Sequence, residues 1–404
     1  MINPQTEPPK PDWLQAFHIM IKGCGSKCNL DCKYCYYLSK ENLYPDSQFR
    51  MSDEILERFT QQYILAQKGP EVTFAWQGGE PTLLGIEFYE RAVEYQKKYQ
   101  KPGMTIRNAF QTNGLLLDRE WAEFFSKNEF LVGVSLDGPQ AMHDAYRVDK
   151  GGAPTQRKVR ERIEILKEYG VDFNVLCCVH KANASHPVGL YRYLRDDIGA
   201  QYIQFIPIVE RKNASGFQEG YQVSRRSVSG RKYGDFLIQV FNEWILADVG
   251  KVFVQIFDTA LAAWCGSNPG LCIFEKTCGK ALALEHNGDL YCCDHYVEPR
   301  YLLGNFMNED LASLVNSPKQ IQFGQGKLEG LPRYCIECEV RFICNGECPK
   351  NRIRKTPDGE GGLNYLCEGY KAFFTHIDRP MRGMRELIRQ NRAPAEIMRW
   401  YPPK

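Results

Sequence analysis

The stretch Cys28-Asn-Leu-Asp-Cys32-Lys-Tyr-Cys35 places three thiols within one short loop. Three thiolates in one loop can hold three irons of a four-iron cluster, which leaves the fourth iron open for chemistry. A zinc ion is the alternative, but structural zinc takes four ligands, and Cys24 is the only further thiol at a suitable local spacing. The spacing therefore favours an iron-sulfur centre with an open coordination position.

The composition around this loop is that of a globular, cytoplasmic protein. The 404 residues are 43% apolar and 25% charged, which is enough for a large core in two or three domains. The net charge is +2 without a long basic run, which argues against a nucleic-acid partner. The N-terminus has no apolar signal core, and no apolar run reaches the roughly 20 residues that span a bilayer, so no membrane association is expected. Sixteen cysteines in a reducing compartment then indicate metal ligands rather than disulfides.

Apolar runs of strand length alternate with longer amphipathic segments. This order predicts an α/β fold, a parallel and right-handed partial (β/α)6 barrel with its functional loops at the carboxyl ends of the strands. The cysteine loop follows the first predicted strand. A polar, Gly/Ser-rich segment at 215–231 is typical of a mobile surface loop. The predicted strands are 16–21, 72–76, 106–111, 130–136, 173–179 and 202–208, and two of the predicted helices are 52–66 and 155–169.

With this barrel, the Cys-x3-Cys-x2-Cys loop resembles that of the radical S-adenosylmethionine (SAM) enzymes. The turn Gln77-Gly78-Gly79-Glu80-Pro81 after the second strand agrees, because glycines allow close approach of the backbone. The resemblance implies that this turn binds the amino group of the methionine moiety. It also implies SAM contacts for Tyr34, Ser135, Arg147 and Val209. The structural alternatives are an ordinary turn for residues 77–81, a packing aromatic for Tyr34 and a strand-end hydroxyl for Ser135. For Arg147 the alternative is a solvated helix cation, and for Val209 it is a core valine.

A second cysteine pattern lies in the C-terminal third. Cys278-x9-Gly288-x4-Cys293 is followed by Cys335-x2-Cys338-x5-Cys344-x3-Cys348 and then by Cys367. The pattern resembles the SPASM extension of peptide-modifying radical SAM enzymes, and Cys272 supplies an eighth thiol. The resemblance implies two auxiliary four-iron clusters with interleaved ligands: an inner set of Cys272, Cys278, Cys293 and Cys348, and an outer set of Cys335, Cys338, Cys344 and Cys367.

Five cysteines remain outside these sets. Cys24 is most simply a loop thiol, and Cys177 and Cys178 lie in an apolar strand and are expected in the core. Cys265 and Cys292 are rival ligands for the places of Cys272 and Cys293. A zinc ribbon is the alternative for the C-terminal pattern, since Cys-x2-Cys pairs suit tetrahedral zinc.

Asp294 directly follows the proposed ligand Cys293 and is a candidate general base. An exposed aspartate has a pKa of about 3.9, and burial is expected to raise it toward a useful value. The alternatives are that Asp294 only orients the cluster loop, or that His295 is the base. Gln111, at the end of the third strand, is a candidate ligand for substrate amide groups, or else it caps a turn.

The whole chain, through the segment 363–370, resembles the anaerobic sulfatase-maturating enzymes. The resemblance implies oxidation of a cysteine or serine in an unfolded sulfatase polypeptide to Cα-formylglycine, a post-translational modification that uses SAM and three [4Fe-4S] clusters. It also implies an electron donor such as a flavodoxin or ferredoxin. Another SPASM-type enzyme that forms thioether or carbon-carbon crosslinks, and a non-catalytic metal-binding module, are the alternatives. The expected division is an N-terminal extension at 1–15, the barrel at 16–240, the SPASM domain at 241–375 and a helical tail at 376–404.

Overall fold

A computed structural model describes residues 16–401 of the chain. The expected N-terminal extension and the last three residues of the tail lie outside this range. Six parallel strands form the barrel, and they confirm the predicted strands with ends shifted by at most two residues. They are β1 His18–Lys22, β2 Glu71–Trp76, β3 Thr105–Thr112, β4 Phe130–Ser135, β5 Phe173–Val179 and β6 Tyr202–Pro207.

Further strands extend the barrel sheet at both edges. β7 Phe253–Val254 pairs parallel with β6, and β8 Ala281–Glu285 pairs parallel with β1. β9 Asp289–Tyr291 then pairs antiparallel with β8, and β10 Leu302–Asn305 pairs antiparallel with β9. The resulting order is β10-β9-β8-β1-β2-β3-β4-β5-β6-β7, while β11 Arg354–Lys355 and β12 Gly361–Leu363 form a separate hairpin. The C-terminal third therefore continues the sheet of the barrel.

Helices cover the outer face of the sheet and fill the C-terminal third. The helix predicted at 52–66 is confirmed, because the Ser52 hydroxyl accepts a hydrogen bond from the Ile55 N–H and caps its first turn. The helix predicted at 155–169 is confirmed as α5. The helices are α1 Asp53–Ala66, α2 Ile86–Tyr99, α3 Arg119–Lys127, α4 Gln140–His143, α5 Gln156–Glu168, α6 Pro187–Arg192, α7 Gly230–Ala247, α8 Gln255–Trp264, α9 Leu311–Val315, α10 Pro318–Glu329, α11 Arg333–Ile336, α12 Arg341–Cys344 and α13 Cys367–Arg389.

A glycine crossing fixes the C-terminal helix to the barrel. A Cβ added at Gly369 of α13 would lie 2.0 Å from the Gly230 carbonyl oxygen, and one added at Gly234 would lie 2.6 Å from the Gly369 Cα. The α7 and α13 backbones therefore touch, which only glycine allows. The predicted domain boundaries at 240 and 375 fall inside these two helices and stay predictions.

The predicted loop at 215–231 runs as far as Ser229, where α7 is capped. The Gln218 N–H donates to Glu298 at 2.6 Å, so this segment contacts the C-terminal third, and just before it Arg211 donates to the Lys350 carbonyl oxygen. Its mobility stays a prediction. Among residues 16–401, no helix combines the length and the apolar character needed to cross a bilayer.

Candidate active site

The cysteine loop after β1 and the glycine turn after β2 are locked together by their backbones. The Gly79 N–H donates to the Gly25 carbonyl oxygen at 2.7 Å, and the Glu80 N–H donates to that of Lys27 at 2.8 Å. A Cβ on Gly79 would lie 2.0 Å from the Lys27 carbonyl oxygen, so this position requires glycine. The close backbone approach that the glycines of this turn were expected to allow is an approach to the cysteine loop.

Glu80 joins this turn to the end of β3. Its buried carboxylate accepts hydrogen bonds from the Thr82 N–H and hydroxyl, the Thr112 hydroxyl and the Asn113 N–H, at 2.7 to 3.1 Å. The Asn113 amide in turn lies 3.7 Å from the Cys28 sulfur. Sequence reasoning missed Asn113, although it lies only two residues after Gln111. Glu80 acts as a clamp between two strand ends, and its contact with SAM stays a prediction.

The predicted SAM residues Tyr34 and Arg147 meet at a carboxylate that sequence reasoning missed. The Tyr34 hydroxyl donates to Asp137, and Arg147 Nε donates to the same oxygen at 3.0 Å. Burial alone raises the pKa of Asp137, but the Arg147 guanidinium together with the His180 and His143 rings outweighs burial and holds the pKa well below its usual range. Arg147 is itself buried, so the alternative of a solvated helix cation is wrong.

Gln111 and Ser135 lie side by side at the ends of β3 and β4. The Gln111 amide donates to the Ser135 hydroxyl oxygen at 3.2 Å, so a turn-capping role for Gln111 is not what the structure shows. Both side chains are half-buried. Val209 is packed in the apolar core, and its contact with the adenine of SAM stays a prediction.

The three thiols of the first cysteine loop stand together at this end of the barrel. Burial raises the pKa of Cys28 to about 11 and that of Cys32 to about 12. The thiol of Cys35 contributes to both increases, and the thiol of Cys28 contributes to that of Cys32. Adjacent thiols with raised pKa values are protonated without metal and lose their protons when iron binds. The loop therefore fits the three-thiolate shell of a cluster.

The C-terminal thiols influence one another's pKa values within the same two groups that the resemblance implied, and their assignment as cluster ligands stays a prediction. Burial raises the pKa of Cys293, and the nearby thiols of Cys348, Cys272 and Cys278 raise it further. In the outer group, burial raises the pKa of Cys367 to about 12, and the thiols of Cys335 and Cys338 contribute to the increase. The thiols of Cys367 and Cys335 in turn raise the pKa of Cys344. These four outer thiols line one small cavity.

The donor sets have the chemistry of iron-sulfur ligands. Each consists of cysteine thiols alone, three in the first loop and four in each C-terminal group, and thiolates are the usual ligands of [4Fe-4S] clusters. Among residues 16–401, no group of three or more His, Cys, Asp or Glu side chains is arranged to hold a single metal ion. All sixteen cysteines are free of disulfides.

The remaining cysteines differ in how far they are buried. Cys24 and Cys177 are buried in the core, and Cys265 is exposed. The predicted core placement is wrong for Cys178, which is half-buried with its sulfur 3.8 Å from Arg147 Nη2. Successive residues of β5 face opposite sides, so Cys177 and Cys178 cannot share an environment.

The adjacent cysteines Cys292 and Cys293 offer a matched test of the inner set. Burial raises the pKa of Cys292 to about 12, and no other cysteine contributes to this increase. The pKa of Cys293, by contrast, is raised by three other thiols. We expect Cys293→Ala to lose up to one cluster, about four irons of twelve, and Cys292→Ala to keep its iron. Iron analysis of anaerobically reconstituted protein measures both, and the reverse result would make Cys292 the ligand.

Asp294 lies in a buried network at the end of β1. Its carboxylate forms an ion pair with the fully buried Lys22 and accepts a hydrogen bond from the Tyr36 hydroxyl. Burial raises the pKa of Asp294, as expected, but the charge of Lys22, the nearby His295 ring and the hydrogen bonds from Lys22 and Tyr36 together outweigh burial and bring the pKa down to about 2. The expectation of a raised pKa is therefore wrong, because the sequence does not show the cation that faces this carboxylate.

The same lysine connects the carboxylate to the glycine turn. Lys22 Nζ donates to the Gln77 side-chain oxygen at 3.1 Å and lies 4.3 Å from the centre of the Tyr37 ring. The rival base, His295, is half-buried beside Tyr36, and burial lowers its pKa to about 3. One cation thus links the candidate base to the turn expected to hold SAM.

Comparison with known proteins accords with this geometry. A family model described as the radical SAM superfamily matches residues 24–194, and one described as SPASM, an iron-sulfur cluster-binding domain, matches 272–339. The chain is 47% identical to a serine-type anaerobic sulfatase-maturating enzyme of Bacteroides thetaiotaomicron, over 95% of both chains. It is 34% identical to a cysteine-type enzyme of Clostridium perfringens, over 89% of this chain and 95% of the relative.

A solved structure supports the same assignment. Native anSMEcpe with bound AdoMet and the Cp18Cys peptide superposes with a TM-score of 0.82 and 32% identity, covering 92% of this chain and 99% of that chain. Two such relatives and this structure each cover most of the chain at more than 30% identity. The protein therefore belongs to the anaerobic sulfatase-maturating enzymes, radical SAM enzymes with a SPASM iron-sulfur domain.

Proposed function

We propose that this enzyme oxidises a serine in an unfolded segment of a sulfatase to Cα-formylglycine. The observation that carries the proposal is the placement of Asp294, which adjoins the inner-set thiol of Cys293 and is tied through Lys22 to Gln77 of the SAM turn. The serine target is supported by the name of the Bacteroides thetaiotaomicron relative, whereas relatives at 34% identity carry the cysteine-type name.

The residues of the chain divide the work of this reaction. When bound, the first cluster and SAM supply removal of a hydrogen atom from the target Cβ, and the auxiliary clusters supply an acceptor for the remaining electron. Asp294 takes the side-chain proton of the target, and Lys22 and Tyr36 hold its carboxylate in one orientation. Gln111 and Ser135 present their polar groups to the peptide and to SAM from neighbouring strand ends.

The proposal includes the setting in which the enzyme works. Free thiols at all sixteen cysteines require a reducing compartment, which supports action in the cytoplasm. The electrons that reduce the first cluster would come from a low-potential carrier such as a flavodoxin or ferredoxin. Mixing the enzyme with a purified carrier and measuring whether its clusters become reduced tests the electron donor separately from the target.

Three matched peptides test the function. A short sulfatase peptide with serine, cysteine or alanine at the target position is incubated anaerobically with the reconstituted enzyme, SAM and reductant. Loss of two hydrogen atoms from the serine peptide, with one 5′-deoxyadenosine per turnover and no change in the alanine peptide, supports the proposal. Faster turnover of the cysteine peptide would overturn the serine preference.

The remaining outcomes separate the other hypotheses. SAM cleavage with all three peptides unmodified would favour an enzyme that crosslinks a different precursor peptide. A fully clustered protein that neither cleaves SAM nor modifies a peptide would contradict both enzymatic hypotheses.

A further inference from the structure

Asp137 holds a position that the proposed reaction does not use. It lies two residues beyond the end of β4, and its side chain is fully buried. One carboxylate oxygen accepts the Tyr34 hydroxyl and Arg147 Nε, and the other accepts the Cys178 N–H at 2.9 Å. Three separate segments of the chain thus meet at one carboxylate.

The backbone of Asp137 is held as firmly as its side chain. Its N–H donates to His143 Nδ1 at 3.2 Å, and its carbonyl oxygen accepts the Asn183 amide at 3.1 Å. The buried His180 ring adds Nε2 at 3.5 Å from the carboxylate. Because each polar group of Asp137 has a partner, the carboxylate has little freedom to move.

The partners of Asp137 reach the first cysteine loop. Tyr34 lies between the predicted ligands Cys32 and Cys35 in sequence. Arg147 Nη1 lies 3.9 Å from the Cys32 sulfur, and the guanidinium stands 5.4 Å from the centre of the Tyr34 ring. A buried guanidinium needs a counter-charge, and within residues 16–401 the only ion pair of Arg147 is with Asp137.

We propose that Asp137 is a positioning residue for SAM, which fixes the Arg147 guanidinium and the Tyr34 ring beside the first cluster in the orientation that binds the cofactor. Asp137 need not touch SAM in this arrangement. The proposal concerns cofactor binding alone and is independent of the serine target and of formylglycine formation.

The test compares two aspartates near the same short helix. Asp137→Asn keeps the shape and removes the charge. Asp144→Asn is the control, since Asp144 accepts the N–H groups of Thr155 and Gln156 at the start of α5 and contacts none of the SAM residues. SAM affinity is measured by anaerobic calorimetry on reconstituted enzyme without peptide, beside iron content and the visible absorbance of the clusters.

We expect Asp137→Asn to raise the Kd for SAM about 10- to 100-fold at unchanged iron content, as for a displaced charge-assisted contact. Asp144→Asn should leave the Kd within about twofold, because it affects only a helix cap. A wild-type Kd in clustered Asp137→Asn protein would overturn the proposal, as would an equal rise in the control.

A double-mutant comparison shows whether Asp137 acts through Arg147. The variant Asp137→Asn/Arg147→Met should lose less SAM affinity than the sum of the two single losses, because only the part of the Asp137 effect that acts through Tyr34 remains once Arg147 is gone. Fully additive losses would overturn the positioning role. If Asp137→Asn does not accumulate as folded protein, Tyr34→Phe decides instead, because it removes only the hydroxyl that Asp137 holds, and an unchanged Kd would then contradict the proposal.

Discussion

Asp294→Asn is expected to lower kcat for peptide oxidation by about 10²- to 10⁴-fold, the range of a lost general base. Asparagine fills the same space and can still accept a hydrogen bond from Tyr36, but it cannot take a proton from the target side chain. SAM binding should change little, because Asp294 reaches the SAM turn only through Lys22. Formylglycine by mass spectrometry and 5′-deoxyadenosine by chromatography, measured in the same samples, check both parts.

His295→Gln is the matched variant for this experiment. His295 is half-buried next to Asp294, and its pKa of about 3 is close to the value of about 2 for Asp294, so the pKa values do not separate the two as bases. What distinguishes Asp294 is its ion pair with Lys22, which ties it to the SAM turn. We expect its substitution to reduce kcat far less than that of Asp294. Normal formylglycine formation by Asp294→Asn, together with loss of activity in His295→Gln, would transfer the role of base to the histidine.

Lys22→Met is expected to lower the free energy of unfolding by about 3–5 kcal/mol, the loss typical of a buried ion pair that loses one partner. Methionine fills the space of the lysine stem but leaves the Asp294 carboxylate buried and without its cation. Anaerobic urea unfolding of the clustered protein measures the loss. Lys98→Met is the control, since the pair of Lys98 with Glu57 is exposed and screened by solvent and should contribute little to stability.

The double variant Lys22→Met/Asp294→Asn separates charge from packing. Removing both charges leaves no unpaired ion, so we expect it to recover more than half of the stability that Lys22→Met loses. It should remain unable to oxidise the peptide. A double variant as unstable as the single one would show that the lysine contributes through packing, including its contact with the Tyr37 ring, rather than through its charge.

The sequence was most informative where a local pattern has one physical meaning. Strands β1 to β6 were predicted because buried parallel strands are apolar throughout, and the cysteine sets because ligands of one cluster repeat at short spacings. Strands β8 to β10 were missed, since they are short and lie within the cysteine pattern.

The pairs that set the chemistry of the site were beyond such reasoning. Lys22 and Asp294 are distant in sequence, and no local signal shows that β8 pairs with β1 and that the segment after β9 brings the carboxylate to the lysine. The pKa of Asp294 was therefore predicted in the wrong direction, since burial was foreseeable and the cation was not. Asp137 lies just after β4 in the sequence, but its partners Tyr34 and Arg147 come from separate loops, so the sequence does not show that they meet.

The pairing of β1 with β8 also determines the order in which the chain can fold during synthesis. The strand that covers one edge of β1 follows it on the ribosome by about 260 residues. At about 5–20 residues per second, that edge stays unpaired for roughly 13 to 50 s. An open strand edge favours pairing with other chains. The newly made barrel is therefore open to aggregation, with the thiols after β1 uncovered, until the C-terminal third has been translated.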